Sequence, residues 1–317
     1  MNTVLVTGGC GLIGKYICSG LLKKGNAVIA VDESEGNYNT GKLHYSFVEA
    51  APDDKDAYEE IFRNNKIDIV VHAACTVDND FKPIVTETQM MISGQCDNFI
   101  YNTALNSGVK EFILISTDQV YEFQKSREPI RETNRLKPVT NYANLKFASE
   151  KAFITELQNH KEVIGCVIRV APVYTHDFIE NLTAKITDPK DNVKFVSGTG
   201  QYGFQLCCVH NLVDFILCFV RSADDTSYSG TYNVSDKNIT TAADIIAFMR
   251  EHYHLGTVIS RNAGGTLSRI KGIFSKSSDE KENYRYLDMS KLEHNNILDC
   301  TKAAKIAVFR WDIKNTK

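Results

Sequence analysis

An α/β fold with a doubly wound parallel sheet and a small C-terminal α/β lobe is predicted by three features of this 317-residue sequence. Short β-branched runs alternate with longer amphipathic segments, the runs are apolar on both faces, and the rhythm breaks only after about residue 172. Strands covered on both sides belong to parallel sheets, because parallel pairing requires crossovers that lay helices over both faces.

The elements follow in order. TVLV at 3–6 is a strand that runs through glycines into a helical pattern over 12–24. AVIAVD at 27–32 and SFVE at 46–49 are the next strands, and 54–64 is the helix before the strand IDIVVHAA at 67–74. Apolar spacings of three and four predict helices over 90–107 and 142–159, around the strand EFILIS at 111–116 and ahead of the strand VIGCVIRV at 163–170. Beyond these, 175–200 is polar and interrupted, 204–221 reads as an apolar helix, GTYNV at 230–234 as a strand and 240–253 as an amphipathic helix. Residues 260–285, rich in Ser, Gly, Lys and Glu, predict an exposed loop.

A net charge of −3 with scattered basic residues gives no footprint for nucleic acid or an anionic membrane, so a small solute is the expected partner. The nine cysteines show no CxxC or Cys/His spacing, which predicts buried thiols in a reducing compartment and no metal site. The N-terminal strand is too short for a secretory h-region, and no stretch of about 20 apolar residues occurs, so a soluble cytoplasmic protein is expected.

Gly8, Gly9, Gly11 and Gly14 sit between the first strand and the first helix. Gly9-x-Gly11-x-x-Gly14 satisfies the dinucleotide fingerprint, in which glycines permit a tight turn, close approach of a pyrophosphate and close helix packing. Asp32 ends the second strand 21 residues after Gly11, where a carboxylate accepts the ribose hydroxyls of an adenosine half. Glu33, Ser34 and Glu35 offer no arginine for a 2′-phosphate, so NAD is expected over NADP. The division that results is an NAD-binding domain over 1–172 and a mainly substrate-binding lobe over 173–317, with about 204–236 returning to the first domain.

Tyr-x-x-x-Lys occurs at Tyr38/Lys42, Tyr121/Lys125 and Tyr142/Lys146, so the motif alone selects nothing. The first match lies in a Gly/Asn loop and the second at a strand end; only the third opens a sustained helix, where four-residue spacing puts phenol and ammonium on one face. There Lys146 can lower the Tyr142 pKa from about 10 toward the working pH and hold the nicotinamide ribose. Thr117, at a strand's C-terminal end, can orient the substrate oxygen that Tyr142 deprotonates, completing an alcohol-oxidising unit.

TGGCGLIG, Asp32, VVHAA at 70–74, STDQVY at 116–121, Tyr142 with Lys146, IRVAPVY at 168–174 and GTYNVSD at 230–236 together resemble an extended short-chain dehydrogenase/reductase of the nucleotide-sugar epimerase/dehydratase group. The resemblance spans about residues 3–236, with a weaker echo in LDMSKL at 287–292. It implies a Rossmann domain, NAD contacts from Gly8, Gly11, Leu12, Ile13, Gly14, Asp32 and Ala73, and a catalytic triad of Thr117, Tyr142 and Lys146. It also implies a nucleotide-sugar substrate and a homodimer formed through the helices at 90–107 and 142–159.

Departures from that pattern bear on chemistry. Ala51 stands where an adenine-binding Asp is common, Met91 where an Asn precedes the helix glycine, and Phe204 where an Arg binds the sugar diphosphate. Arg261, Arg269 and Lys271 in the later loop can compensate, although a solvated basic loop accounts for them more simply. Related dehydratases carry Asp and Glu in the strand-end motif; this chain keeps Asp118, a candidate acid, but presents Gln119, whose amide has no useful basicity. Epimerisation or net redox without dehydration is therefore expected. Alternatives are a dehydrogenase or reductase of a non-nucleotide alcohol, and a non-catalytic NAD-binding regulator of the same fold.

Overall fold

Seven parallel strands, in the order Gly230–Val234, Ile164–Val170, Glu111–Thr117, Ile69–His72, Thr3–Thr7, Ala27–Asp32 and Tyr45–Glu49, form the central sheet of the computed structural model, which describes residues 1–75, 87–122, 128–188, 192–222, 225–261 and 297–316. In chain order the strands are β1 (Thr3–Thr7), β2 (Ala27–Asp32), β3 (Tyr45–Glu49), β4 (Ile69–His72), β5 (Glu111–Thr117) and β6 (Ile164–Val170). Short strands β7 (Val173–Tyr174), β8 (Phe195–Ser197), β9 (Gly203–Phe204) and β10 (Cys207–Cys208) follow, then β11 (Gly230–Val234), β12 (Thr240–Thr241) and β13 (Ile259–Arg261). The helices are α1 (Gly14–Lys23), α2 (Lys55–Asn64), α3 (Glu87–Asn106), α4 (Asn141–Leu157), α5 (Glu180–Thr183), α6 (Val209–Ser222) and α7 (Ala242–His252). The expected doubly wound α/β class is the one observed.

The two-sided apolar runs are explained by two cores, one on each face of the sheet. Val4 and Val6 of β1 join Ile17 and Leu21 of α1 and Leu212, Phe215 and Phe219 of α6. Leu5, pointing the other way, joins Tyr58 and Ile61 of α2, Ile100 and Tyr101 of α3, and Phe153 of α4. This is the period-two alternation of a strand buried on both faces. The crossovers after β1 and β4 lie on opposite faces, and the crevice they leave at the strands' C-terminal ends is where such sheets hold ligands.

The stretch 204–221 is not one helix. Phe204 belongs to β9, which pairs antiparallel with β12, and Cys207–Cys208 form β10, parallel to β7; only Val209–Ser222 is helical. Phe204, Leu206 and Cys208 are apolar because they are enclosed by a third core, with Tyr174, Leu182, Ile245 and Phe248, whereas Cys207 and α6 pack into the first core beside α1. Asp236 ties this region to the sheet: it accepts the Tyr174 hydroxyl at 2.8 Å, the Cys208 amide at 2.6 Å and the Asn211 amide group at 2.8 Å. Burial still pushes its carboxyl up to about 7. The predicted loop at 260–285 lies, from residue 262 on, outside the described residues, as do Lys125, Arg269, Lys271 and LDMSKL; Arg261 is described by its backbone only.

Glu111 opens β5 with its side chain buried and Oε2 without a partner among the described residues, and burial pushes its carboxyl up to about 8, opposed by Lys110. The folded protein therefore holds a proton there that the unfolded chain has released, and stability falls as pH rises from the ordinary carboxyl range through about 8. Glu111→Gln is expected to add roughly 1–2 kcal/mol at pH 8 and almost nothing near pH 4, read by urea unfolding at both values. An equal gain at both would disprove the titration.

Candidate active site

The glycine-rich turn after β1 forms one wall. Gly8 has φ +66°, and a Cβ there would lie 2.8 Å from the Ala74 backbone nitrogen. A Cβ at Gly14 would collide with the Gly8 carbonyl oxygen, so α1 meets the strand backbone to backbone. Leu12 and Ile13, just ahead of α1, line the cleft with Ala73. Their position at a helix N-terminus offers amide donors and the positive end of the dipole to a diphosphate. At the end of β2, Asp32 accepts the Cys10 amide on Oδ2 and the Glu33 amide on Oδ1, both at 2.9 Å. It thus braces the glycine turn while leaving lone pairs on each oxygen for ribose hydroxyls. A glycine-rich turn, a helix start and a strand-end carboxylate fit NAD.

Behind this wall Thr7 Oγ1 lies 2.8 Å from His72 Nδ1, and His72 Nε2 lies 3.2 Å from Asp97 Oδ1 on α3. Burial alone would raise Asp97, but hydrogen bonding and charge from His72, with help from Ser149 and Lys146, hold its carboxyl below the usual range. Across the mouth, Asp177 of the β7–α5 connection accepts the Tyr16 hydroxyl at 2.7 Å and the Lys15 ammonium at 3.2 Å.

The cleft brings Thr117, Tyr142 and Lys146 together from two elements. Thr140 caps α4 by accepting the Ala143 amide at 3.1 Å, which sets Tyr142 in the first turn and Lys146 one turn on. Lys146 is buried and donates to the Ile115 carbonyl at 3.2 Å. Thr117 Oγ1 accepts the Gln119 amide at 3.3 Å and contacts Asp118 Oδ1 at 3.4 Å, capping a single 3-10 turn over Asp118–Val120. Gln119 lines the cleft, whereas Asp118 is buried and is not among the lining residues.

The other two Tyr-x-x-x-Lys matches lie elsewhere. Lys42 Nζ sits 4.9 Å over the Tyr38 ring in the loop before β3, and the Tyr121 hydroxyl donates to Asn233 Oδ1 at 2.6 Å inside the domain. Phe204 is buried in the lobe core. Lys146 is the single charged residue among the described lining residues, and no cluster of metal-ligating groups occurs among the described residues.

Sequence reasoning did not select Asn181, Phe178 or Ser116, all of which line the cleft. Asn181 Nδ2 donates to the Val173 carbonyl at 2.6 Å, leaving Oδ1 unpartnered among the described residues. It lies in the four-residue helix α5, too short to show a periodicity, so the chain carried no local signal for it. Ser116 was hidden in a fully buried strand.

Asp32→Ala is expected to weaken NAD by at least about tenfold, since charge-assisted hydrogen bonds to ribose contribute roughly 1.5–3 kcal/mol each. NADP should lose less. Calorimetric titration of both cofactors checks this, and equal losses would reduce Asp32 to a brace for the turn.

A family model described as the NAD dependent epimerase/dehydratase family matches residues 4–235. A dTDP-D-glucose 4,6-dehydratase of Mus musculus is 25% identical over 98% of this chain and 84% of its own length. One from Dictyostelium discoideum is 31% identical over 47% of this chain, a match that spans only 38% of that protein. A UDP-glucose 4-epimerase of Rhizobium leguminosarum is 28% identical over 56% of this chain and 54% of its own. Among solved structures, the Bordetella bronchiseptica enzyme WbmH with NAD+ superposes with a TM-score of 0.74 at 17% identity, covering 100% of this chain and 96% of that one. The Thermotoga maritima UDP-glucose 4-epimerase with UDP-glucose gives 0.69 at 21% identity, covering 96% and 91%. Likeness at these identities concerns the fold. No helix among the described residues is long and apolar enough to cross a membrane.

Proposed function

The chain belongs to the NAD dependent epimerase/dehydratase family, and from that premise we propose that it oxidises a hydroxyl of a nucleotide-activated sugar to a transient keto group and returns the hydride without eliminating water. The observation that carries this reading is the convergence of Thr117, Tyr142 and Lys146 on one cleft beside the glycine turn, with Gln119 in the wall and Asp118 outside it.

The turn from Gly8 to Gly14, with Asp32 and Ala73, would hold NAD, which when bound supplies the hydride acceptor. Tyr142 takes the hydroxyl proton on its phenolic oxygen. Lys146, fixed by the Ile115 carbonyl, favours the phenolate by its charge and can reach the adjoining ribose. Thr117 already accepts the Gln119 amide, so its own proton is free to leave the long contact with Asp118 and orient the substrate oxygen. Loss of water would further require a base for the neighbouring carbon acid and an acid for the departing hydroxyl. An amide at 119 supplies neither. The dehydratase activities in relatives' names are not carried to this chain for that reason.

A second reading, a dehydrogenase or reductase of a non-nucleotide alcohol, is favoured by two observations: Phe204 is buried where the family resemblance implies a diphosphate-binding Arg, and Lys146 is the sole charge among the described lining residues. Thermal-shift screening with UDP-, dTDP-, GDP- and CDP-sugars in the presence of NAD separates the two, since a shift with one nucleotide class supports the first and none supports the second. With the responding sugar, the product should keep its mass; a product lighter by one water would overturn the non-dehydratase reading. Tyr142→Phe is expected to cut turnover by about a hundredfold or more while NAD affinity stays within about threefold.

The homodimer is part of the proposal. Met91 and Ile92 on α3 and Ile154 on α4 are 59%, 39% and 42% exposed, apolar area that a second copy would cover. Light scattering should give twice the chain mass, and Ile154→Lys should shift it toward a monomer. A wild-type monomer would reject the dimer.

A further inference from the structure

Glu150 and Arg169 form a deeply buried ion pair that the proposed chemistry does not use, with side chains 1% and 5% exposed. Arg169 Nη2 donates to Glu150 Oε2 at 2.7 Å, and Nε reaches both carboxylate oxygens at 3.1 and 3.2 Å. The remaining Nη1 donates to the Tyr121 hydroxyl and the Glu132 carbonyl, both at 3.1 Å, and the guanidinium lies 4.9 Å over the Tyr121 ring. Ser116 Oγ completes the set by donating to Glu150 Oε1.

A pair this deep is a poor stabiliser, because desolvating two charges costs about what their attraction returns, and apolar side chains of like volume would serve as well. What it supplies is direction. A guanidinium fork binds a carboxylate in one plane, so it fixes the rotation of α4 about its axis as well as its distance from β6. Glu150 stands four residues after Lys146 and eight after Tyr142, on the same helix face. Ser116, its other partner, lines the cleft next to Thr117 and sits opposite Arg169 in the β5–β6 register. One carboxylate thereby joins the helix that carries Tyr142 and Lys146 to the strand end that carries Thr117.

We propose that Glu150 and Arg169 are positioning residues that hold the Tyr142/Lys146 face of α4 in register with Thr117 at the end of β5. The proposal rests on the Thr/Tyr/Lys reading of the site. Misplacing reacting groups by about 1 Å costs on the order of a hundredfold in rate, so the pair acts on turnover and on the Tyr142 phenol without touching substrate.

The test replaces both charges, Glu150→Met with Arg169→Met, and follows Tyr142 ionisation by near-ultraviolet titration of the NAD-bound protein, as the difference from a matched Tyr142→Phe protein. Folding and NAD affinity should stay near wild type, while the Tyr142 midpoint rises by about one pH unit or more because Lys146 no longer faces the phenol. Turnover of the sugar found by screening should fall about ten- to hundredfold with little change in KM. Glu150→Asp keeps both charges but shortens the arm, and should move the midpoint the same way. An unchanged midpoint in a folded double variant overturns the proposal. If the double variant does not fold, Glu150→Asp decides: a wild-type midpoint there sinks it. Retained turnover in Tyr142→Phe would instead sink the site reading itself, so the two failures are told apart.

Discussion

Backbone contact between Gly8 and Gly14 is the constraint on which the nucleotide half of the site depends. No side chain can stand between the turn and the first residue of α1, so the helix start lies against the end of β1. A methyl group at Gly14 would push α1 outward and carry Leu12 and Ile13 away from the wall they share with Ala73, and one at Gly8 would run into the Ala74 backbone. Asp32 works in the same direction from β2, since its carboxylate holds the Cys10 amide in the middle of the turn. The geometry suited to a diphosphate is thus a packing result before it is an electrostatic one.

Most of the sheet was legible in the sequence because burial on both faces writes an unmistakable pattern. Val4, Leu5 and Val6 serve two different cores, so no polar residue interrupts them, and the same holds through Val70 and Val71 and through Phe112, Ile113 and Leu114. Helix α4 was legible from the spacing of its apolar residues, and the choice of Tyr142 over Tyr38 and Tyr121 followed from that helix. Where the reading went astray, at 204–221, an apolar run was enclosed by short strands and a helix in succession, and hydrophobicity by itself does not distinguish those cases. Polar partners were the least legible. Asn181 and Arg169 are single residues whose roles arise from contacts with segments distant in sequence or unpatterned, and local spacing carries no trace of them.

Two buried polar chains meet α4, one at Ser149 and the other at Glu150. One runs from Thr7 through His72 to Asp97; the other runs from Ser116 through Glu150 and Arg169 to Tyr121 and Asn233. Each replaces apolar packing with directional bonds in the part of the domain where angles matter most, and each is well satisfied along its length. The contrast with Glu111 is instructive. There, at the opposite end of β5, a carboxylate oxygen is buried with no partner among the described residues, and burial outweighs the charge of Lys110 in raising its protonation.

The seventh strand, β11, pairs in parallel with β6, and α6, which precedes it, covers α1. Both arrive late in the chain. During synthesis, one edge of β6 emerges unpaired until Gly230–Val234 has been made, and α1 lacks its cover until Val209–Ser222 has followed. Such an edge is a template for pairing with another chain. The protein's vulnerable interval is therefore vectorial, set by the order in which its parts leave the ribosome. The central sheet is complete only when β11 has come back to pair with β6.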